Sequence, residues 1–210
     1  MNAAGAKAGV SRIQVEMKEV GAEGFVPLRA DLPELRAAAR GCEGCELYRA
    51  ATQTVFGEGR VRAALMLVGE QPGDAEDRAG RPFVGPSGKL LDACLVEAGI
   101  DRGNVYVTNA VKHFRFEERG KRRIHKKPTT GQVRACHPWL EAERTVVKPR
   151  VVVSLGATAA QALALVEGWP PIVGTLHPSA VLRAPTHEDR SRMRKELVGA
   201  LKRAAKLSGS

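Results

Sequence analysis

The sequence has no apolar run approaching the roughly 18 residues that a membrane-spanning helix needs, so no membrane protein is predicted. Residues 1–24 mix Ala, Gly, Lys and Glu without an apolar centre, which argues against a secretory signal. They are predicted to form a flexible extension in which the pattern allows a short helix over 13–20. A cytoplasmic location is therefore expected, and its reducing conditions disfavour structural disulfides among the four cysteines. No internal repeat, low-complexity tract, heptad pattern or large apolar surface stripe is visible, so a monomer is expected.

Positive charge exceeds negative charge, with 33 Lys and Arg against 23 Asp and Glu and a net charge of +10. Such a surplus suits a nucleic-acid phosphate backbone. The basic residues cluster over 112–127 and 183–206, and the densest segment, 121–127 (KRRIHKK), surrounds one histidine with lysines and arginines. A basic segment of this kind is usually a solvated face or a localisation signal when it stands alone. The neighbouring motifs decide between that interpretation and a phosphate site.

Predicted strands alternate with predicted helices along the chain. Asp31 begins the first helix with a capping-box spacing to Glu34, and Gly41 ends it. Apolar runs predict strands over 63–68, 105–107, 150–155 and 172–176, and helical spacing predicts helices over 87–98, 130–147, 157–166 and 188–206. Alternation of this kind predicts an α/β fold, a three-layer α/β/α domain over 25–210 with a four-stranded, mostly parallel central sheet.

Polar groups follow the predicted strand ends, where parallel sheets bind their ligands. They are Glu70-Gln71-Pro72-Gly73, Asn109, Gly156 and His177-Pro178-Ser179. His177 is either a satisfied turn histidine or a donor to a developing anion. Phe83 is either a core residue or a platform for a planar base. Because the segment after the first strand contains neither GxGxxG nor GK[ST], nucleotide hydrolysis is not predicted.

Cys42 and Cys45 form a CxxC motif after the first predicted helix. The motif by itself is compatible with a redox dithiol, half a zinc site or part of an iron–sulfur site, although a thioredoxin-like dithiol should open a helix. Further candidate ligands are Cys94, Cys136, His113 and His137, and Cys94 lies on the apolar stripe of a helix. The preferred ligand set is Cys42, Cys45, Cys136 and His113.

The motifs occur in one order: CxxC, GE-x-PG over 69–73, FVG over 83–85, a strand ending in Asn109, a helix containing Cys136, and HPS over 177–179. In this order they resemble the uracil-DNA glycosylase superfamily, in particular its iron–sulfur family-4 branch, from about Phe25 to the C-terminus. Gln71 replaces the alanine of that branch, His113 replaces a cysteine, and 115–127 is an insertion. These departures resemble the UdgX subgroup, whose KRRIHK motif stands at 121–126.

The resemblance implies a uracil-DNA glycosylase-like fold and the excision of uracil from DNA, preferentially single-stranded, followed by a covalent bond between His125 and the deoxyribose C1′. It implies a 4Fe-4S cluster and catalytic roles for His125, Glu70 and His177. The residues expected to bind uracil are Gln71, Asp74, Phe83 and Asn109. The residues expected to bind DNA are Lys112, Lys121, Arg122, Arg123, Lys126, Ser179 and Arg183.

Two alternatives remain open from the sequence. One is a conventional family-4 glycosylase that turns over repeatedly, in which the basic segment only binds phosphates. The other is a cluster-bearing protein that binds damaged DNA without cutting it. The histidine within the basic segment favours the covalent glycosylase, because binding phosphate requires no histidine.

Overall fold

The computed structural model describes residues 21–209, and a parallel four-stranded sheet lies at its centre. The strands are β1 (Leu65–Gly69), β2 (Val105–Asn109), β5 (Val151–Leu155) and β6 (Ile172–Thr175), in the spatial order β2-β1-β5-β6. Every neighbouring pair is parallel, and Gly69 at the end of β1 lies opposite Asn109 at the end of β2. The predicted α/β class and the four-stranded sheet are confirmed.

The helices cover both faces of the sheet and make it three-layered. They are α1 (Leu32–Ala39), α2 (Asp74–Ala79), α3 (Pro86–Glu97), α4 (Thr130–Val147), α5 (Ala157–Leu163), α6 (Pro178–Leu182) and α7 (His187–Ser208). Three short 3-10 helices lie at Glu23–Phe25, Glu46–Arg49 and Arg102–Asn104. The capping box of Asp31 and Glu34 at the start of α1 is present as predicted.

Side-chain alternation along the strands divides the core between the two faces. Met66 and Val68 of β1 pack into one buried cluster with residues of α1, α4 and α5. Leu65 and Leu67, which point to the other face, pack with residues of α3 and α7. Since both faces are covered by helices, the strands are apolar almost throughout, as buried parallel strands are.

A two-stranded antiparallel hairpin lies outside this sheet, formed by β3 (Phe116–Arg119) and β4 (Arg122–His125). Phe116 pairs with His125 across it, and Gly120 takes a positive φ of 59° in the turn. The sequence predicted this segment only as a basic insertion, so its strand character was missed. The histidine therefore stands at the end of a strand.

Other predictions needed correction. Ala22 is buried and its amide donates to Ala135 O at 2.8 Å, so the flexible extension predicted for 1–24 does not include this part. The predicted helix over 13–20 lies outside the described residues. Helix α5 ends at Leu163 rather than at 166, and the short helices α2 and α6 were not predicted. Within 21–209, no helix is both long and apolar enough to cross a membrane.

Candidate active site

The carboxyl ends of the parallel strands open into a cavity of about 910 Å³. Such sheet ends are the usual ligand site of open α/β folds. The hairpin closes the opposite side, because His125 and Ile124 of β4 also line the cavity. The predicted residues that the structure brings together here are Glu70, Gln71, Asp74, Phe83, Asn109, His125, His177, Ser179 and Arg183.

Asn109, the last residue of β2, and the Phe83 ring, which comes from the segment between α2 and α3, both lie next to Gly69 at the end of β1. Asn109 is buried, and so is Phe83, which takes a φ of 57° that is uncommon for a bulky residue. A Cβ on Gly69 would lie 2.4 Å from the Asn109 side-chain oxygen and 2.8 Å from the Phe83 ring, and one on Gly88 would lie 1.7 Å from Phe83 O. Glycine at these two positions therefore lets an amide and an aromatic ring share one narrow space.

His177 faces Phe83 across the cavity, with ring centroids 6.3 Å apart and planes 28° from parallel. The Ser179 amide donates to His177 Nδ1 at 3.1 Å, and the Ser179 hydroxyl lies 2.8 Å from the same nitrogen. Because an amide N–H can only donate, Nδ1 accepts and the neutral ring carries its proton on Nε2. Burial, with smaller contributions from Arg183 and His125, lowers the pKa of His177 to about 4. His177 is thus a neutral N–H donor at physiological pH.

Glu70 follows β1 and its two carboxylate oxygens meet different partners. Oε1 lies 3.4 Å from His125 Nε2. Oε2 accepts a short hydrogen bond from the Thr158 hydroxyl on α5. Burial is the main reason that the pKa of His125 lies below its ordinary value; Glu70 acts in the opposite direction and Arg183 reinforces the lowering. The His125 side chain remains half exposed, so a ligand can reach it.

The Gln71 side chain joins the base of the hairpin to β1. Its oxygen accepts from the Arg115 amide at 3.0 Å, which fixes the orientation of the side-chain amide. Its nitrogen lies 2.9 Å from Lys126 O, 3.2 Å from Arg115 O and 2.9 Å from His125 Nε2. Because the Gln71 amide nitrogen donates to His125 Nε2, the lone pair of the neutral ring lies on Nε2 and the proton on Nδ1.

Comparison with known proteins agrees with this geometry. The family model of the uracil DNA glycosylase superfamily matches residues 56–202. The chain belongs to the uracil-DNA glycosylase superfamily. It is 36% identical to the type-4 uracil-DNA glycosylase of Pyrobaculum aerophilum over 176 residues, 74% of this chain and 86% of that protein. It is 37% identical to the type-4 uracil-DNA glycosylase of Thermotoga maritima over 164 residues, 71% of this chain and 82% of that protein. The enzyme of that type from Archaeoglobus fulgidus is 32% identical over 189 residues, 80% of this chain and 88% of that protein.

In this superfamily member the hairpin is attached to the domain through Arg123. Its guanidinium donates to Asp74 at 2.5 Å and to Asp77 at 2.6 Å, and it lies 5.0 Å from the centre of the Phe116 ring. Asp77 is fully buried and also accepts from the Thr52 amide. Arg123 was predicted to bind DNA, but its side chain is 13% exposed and committed to these carboxylates. The prediction is corrected to an anchoring role.

Asp74 is correspondingly not free to bind uracil. One carboxylate oxygen accepts from Arg123 and the other from Arg78 at 2.9 Å. The Arg78 hydrogen bond is the main cause that lowers the pKa of Asp74, and Arg123 adds to it, while burial acts against them. Asp74 lines the cavity as predicted, but it serves there as a charged partner of the hairpin.

Lys112 is the clearest correction among the predicted DNA-binding residues. Its side chain is 1% exposed, and the ammonium donates to Glu143 at 2.6 Å, to Thr108 Oγ1 at 2.6 Å and to Asn109 O at 2.8 Å. Glu143 also accepts from Tyr106 and from the Gly57 amide. A buried, fully bonded ammonium cannot reach a phosphate, so Lys112 supports the backbone of Asn109 from below the sheet end.

The other predicted DNA-binding residues border the cavity mouth. Lys121, Arg122, Lys126 and Arg183 are exposed, although Lys126 also pairs with Glu117 at 2.6 Å. Ser179 is half-buried and its polar atoms are directed to His177. Contact of these residues with DNA remains a prediction.

Three of the predicted metal ligands lie in one buried region. Cys42, Cys45 and Cys136 belong to the same core cluster. Trp139 Nε1 lies 3.2 Å from Cys42 Sγ, and the Lys112 amide donates to Cys136 Sγ at 3.2 Å. Burial raises the pKa of the Cys136 thiol to about 12. N–H groups directed at sulfur suit thiolates that bind a metal.

His113, the predicted fourth ligand, has a different partner. Its Nε2 lies 2.9 Å from Thr54 Oγ1, and burial lowers the pKa of the ring to about 4. Over the described residues, 21–209, no three side chains of His, Cys, Asp or Glu are arranged as ligands of one metal ion. The three cysteines share one buried cluster, but a metal centre here remains a prediction, and His113 would have to bind it through its other ring nitrogen.

Thr158 and Glu143 were not identified from the sequence. Thr158 stands two residues after Gly156, at a predicted strand end, and its place there was the one available signal. Glu143 lies in the C-terminal part of α4, 31 residues from Lys112, and nothing local distinguishes it from a solvated glutamate.

Proposed function

We propose that this chain excises uracil from DNA, preferentially single-stranded, and is then covalently attached to the abasic deoxyribose through His125. The observation that carries the proposal is the position of His125 Nε2. This nitrogen lies 3.4 Å from Glu70 and accepts from Gln71, so it carries the lone pair of the ring at the edge of the cavity where a base would lie. Type-4 uracil-DNA glycosylases among the relatives support the first half of the proposal.

The base would be bound by residues at the carboxyl ends of the central strands, on the side of the cavity opposite the hairpin. The Asn109 amide offers both a donor and an acceptor to the Watson–Crick edge of uracil, and Phe83 offers a ring face for stacking. His177 carries a proton on Nε2, because Nδ1 accepts from Ser179. That proton can donate to the uracil oxygen on which negative charge develops when the base departs.

Cleavage moves the electron pair of the C1′–N1 bond onto uracil, which leaves as an anion, and positive charge develops on the sugar. The Glu70 carboxylate lies where it can stabilise that charge. The Nε2 lone pair of the neutral His125 ring then forms a bond to C1′, and the ring becomes an imidazolium. Held against C1′, this nitrogen outcompetes water through proximity.

Gln71 can release His125 for this step at little cost. Its amide has two hydrogens, and two carbonyl oxygens, Arg115 O and Lys126 O, lie within 3.2 Å of the same nitrogen. When Nε2 turns to the sugar, the amide keeps a carbonyl for each hydrogen and no polar group is left unsatisfied. The hydrogen bond from Gln71 therefore positions the neutral ring and can still be broken at little energetic cost.

The preference for single strands follows from the cost of placing a nucleotide in the cavity. A base in a duplex must be unpaired and unstacked first, whereas an unpaired base is not held by a partner strand. The exposed cations at the cavity mouth, such as Arg122 and Arg183, would bind the flanking phosphates. Their contribution is independent of sequence.

The proposal includes a 4Fe-4S cluster held by Cys42, Cys45 and Cys136, with His113 as fourth ligand. A cluster here would pin the CxxC segment to α4, close to Lys112 and the sheet end, and no catalytic step depends on it. Iron and sulfide analysis of purified protein, with its visible absorbance, tests the cluster. Stoichiometric zinc in a colourless protein would contradict it.

The experiment that tests the function uses a single-stranded oligonucleotide with one uracil, incubated with excess protein and separated under denaturing conditions. The wild type is expected to give one SDS-resistant protein–DNA band and about one equivalent of free uracil. His125→Ala should give no such band while uracil is still released. His187→Ala, an exposed histidine at the start of α7, is the matched control and should behave as the wild type.

Three results would contradict the proposal. A His125→Ala variant that still forms the adduct would exclude His125 as the nucleophile. Release of many equivalents of uracil by the wild type without any adduct would identify a conventional type-4 glycosylase. Salt-dependent DNA binding with no uracil release would identify a binding protein.

A further inference from the structure

Thr158 is a buried residue that lines the cavity and takes no direct part in the proposed reaction. It stands in the first turn of α5, after β5, and its side chain is almost inaccessible to solvent, with the residue 2% exposed. Its hydroxyl donates to Glu70 Oε2, a contact across 88 residues of chain. The other oxygen of the same carboxylate faces His125.

We propose that Thr158 is a positioning residue that fixes the Glu70 carboxylate with one oxygen directed to the sugar and to His125. The proposal rests on the proposed function, in which Glu70 stabilises the charge that develops on the sugar. A glutamate at a strand end has freely rotating side-chain bonds, and the hydrogen bond from Thr158 restricts that freedom. The threonine is itself held rigidly, because it is β-branched and lies in a buried helical turn.

The orientation of the Glu70 carboxylate matters because other charged groups in the cavity could draw it away from the sugar. The charged and titratable groups that line the cavity with Glu70 are His125 of β4, His177 after β6, Arg183 after α6, and also Asp74, Glu76 and Lys127. Without the Thr158 hydroxyl, the carboxylate is free to turn toward Arg183 or into solvent. Either movement takes it from the place where the positive charge on C1′ would develop.

Three variants separate positioning from a merely structural role. Thr158→Val has nearly the same shape and lacks the hydroxyl, whereas Thr158→Ser keeps the hydroxyl. Thr175→Val is the matched control, because the buried Thr175 hydroxyl at the end of β6 has no hydrogen-bond partner among the described residues. The measurements are the single-turnover rate of uracil release and the dissociation constant for single-stranded DNA carrying 2′-fluoro-deoxyuridine, which resists cleavage.

Thr158→Val is expected to slow uracil release by about tenfold to a hundredfold, as for a lost hydrogen bond to a charged group, with the dissociation constant unchanged within twofold. Thr158→Ser should restore the rate to within about threefold of the wild type. Thr175→Val should leave both measurements unchanged. A Thr158→Val rate equal to the wild type would overturn the proposal, as would a Thr158→Ser variant that is as slow as Thr158→Val.

A titration without substrate gives a second, independent result. Glu70 acts to raise the pKa of His125. In an NMR titration of the free protein, the pKa of His125 should therefore fall in Thr158→Val and stay unchanged in Thr175→Val. An unchanged pKa in both variants would contradict the positioning role even if the rate fell. A wild type with neither uracil release nor adduct would instead overturn the proposed function, whatever this titration gives.

Discussion

The two sides of the cavity are attached to the molecule in different ways. Asn109 ends β2 and His177 follows β6 of the central sheet, whose faces are covered by helices, so their positions are set by the core. His125 ends a two-stranded hairpin outside that sheet, and an isolated hairpin is marginally stable in water. Its position depends on Arg123, on Gln71 and on a few aromatic contacts. Under the proposed function, base recognition is therefore as stable as the fold, whereas the position of His125 depends on a small number of polar contacts.

Substitutions on the sheet side of the cavity are expected to impair function only when they also destabilise the whole fold. Lys112→Met leaves the Glu143 carboxylate buried without its cation and removes a donor from Asn109 O. Breaking one partner of a buried ion pair costs about 3–5 kcal/mol, so the free energy of unfolding should fall by that amount in a urea titration. Arg192→Met, which breaks an exposed pair with Asp189, is the control and should change little. A Lys112→Met protein as stable as the wild type would mean that the network does not stabilise the sheet end.

Substitutions on the hairpin side are expected to impair adduct formation while the domain remains folded. Arg123→Met removes both ion pairs to α2, and the hairpin is expected to detach, after which Asp77 becomes hydrated. Adduct formation should fall by roughly a hundredfold, uracil release should persist, and amide exchange should accelerate over 116–125.

Arg119→Met on the neighbouring strand β3 is the control for Arg123→Met, since the Arg119 side chain is 69% exposed. It should leave adduct formation and amide exchange as in the wild type. Equal losses of uracil release and adduct in Arg123→Met would show that the two sides of the cavity are not separable.

A smaller effect is expected where only one attachment of the hairpin is lost. Gln71→Met preserves the approximate volume of the side chain but leaves the Arg115 amide without its acceptor. The adduct should form about tenfold more slowly, with the rate of uracil release unchanged. If uracil release fell instead, Gln71 would act on the base, as its place in the sequence motif predicts, and not on the hairpin.

The sheet side of the cavity could be predicted from the sequence, whereas the contacts that hold the hairpin could not. The sheet, its strand ends and the α1 cap depend on local patterns, namely apolar runs, glycines and a capping box, and these were predicted. The Arg123–Asp77 and Lys112–Glu143 pairs join residues 46 and 31 positions apart, and a charged residue gives no local sign of its partner. For that reason, the residues predicted to bind phosphate included Lys112 and Arg123, whose largely buried side chains are bound to carboxylates instead. The hairpin was missed because its strands are short and highly charged.

The smallest expected effect, a dependence on pH, distinguishes the two histidines. A lowered pKa keeps a histidine neutral to lower pH, and only the neutral His125 ring has a lone pair for the proposed attack on C1′. Adduct formation should therefore be independent of pH from about pH 8 to 6.5 and decline at lower pH. His177 keeps its neutral form to about pH 4, so the release of uracil should persist further into acid.

The fraction of product present as adduct should consequently fall as the pH is lowered from 6.5 toward 4, while total uracil release changes less. Quenched reactions across this range, with the adduct and free uracil quantified from the same sample, measure the fraction directly. A constant fraction would mean that one group controls both steps. In that case the nucleophile on the hairpin and the donor on the sheet would titrate together, and the chemical distinction between the two sides of the cavity would be lost.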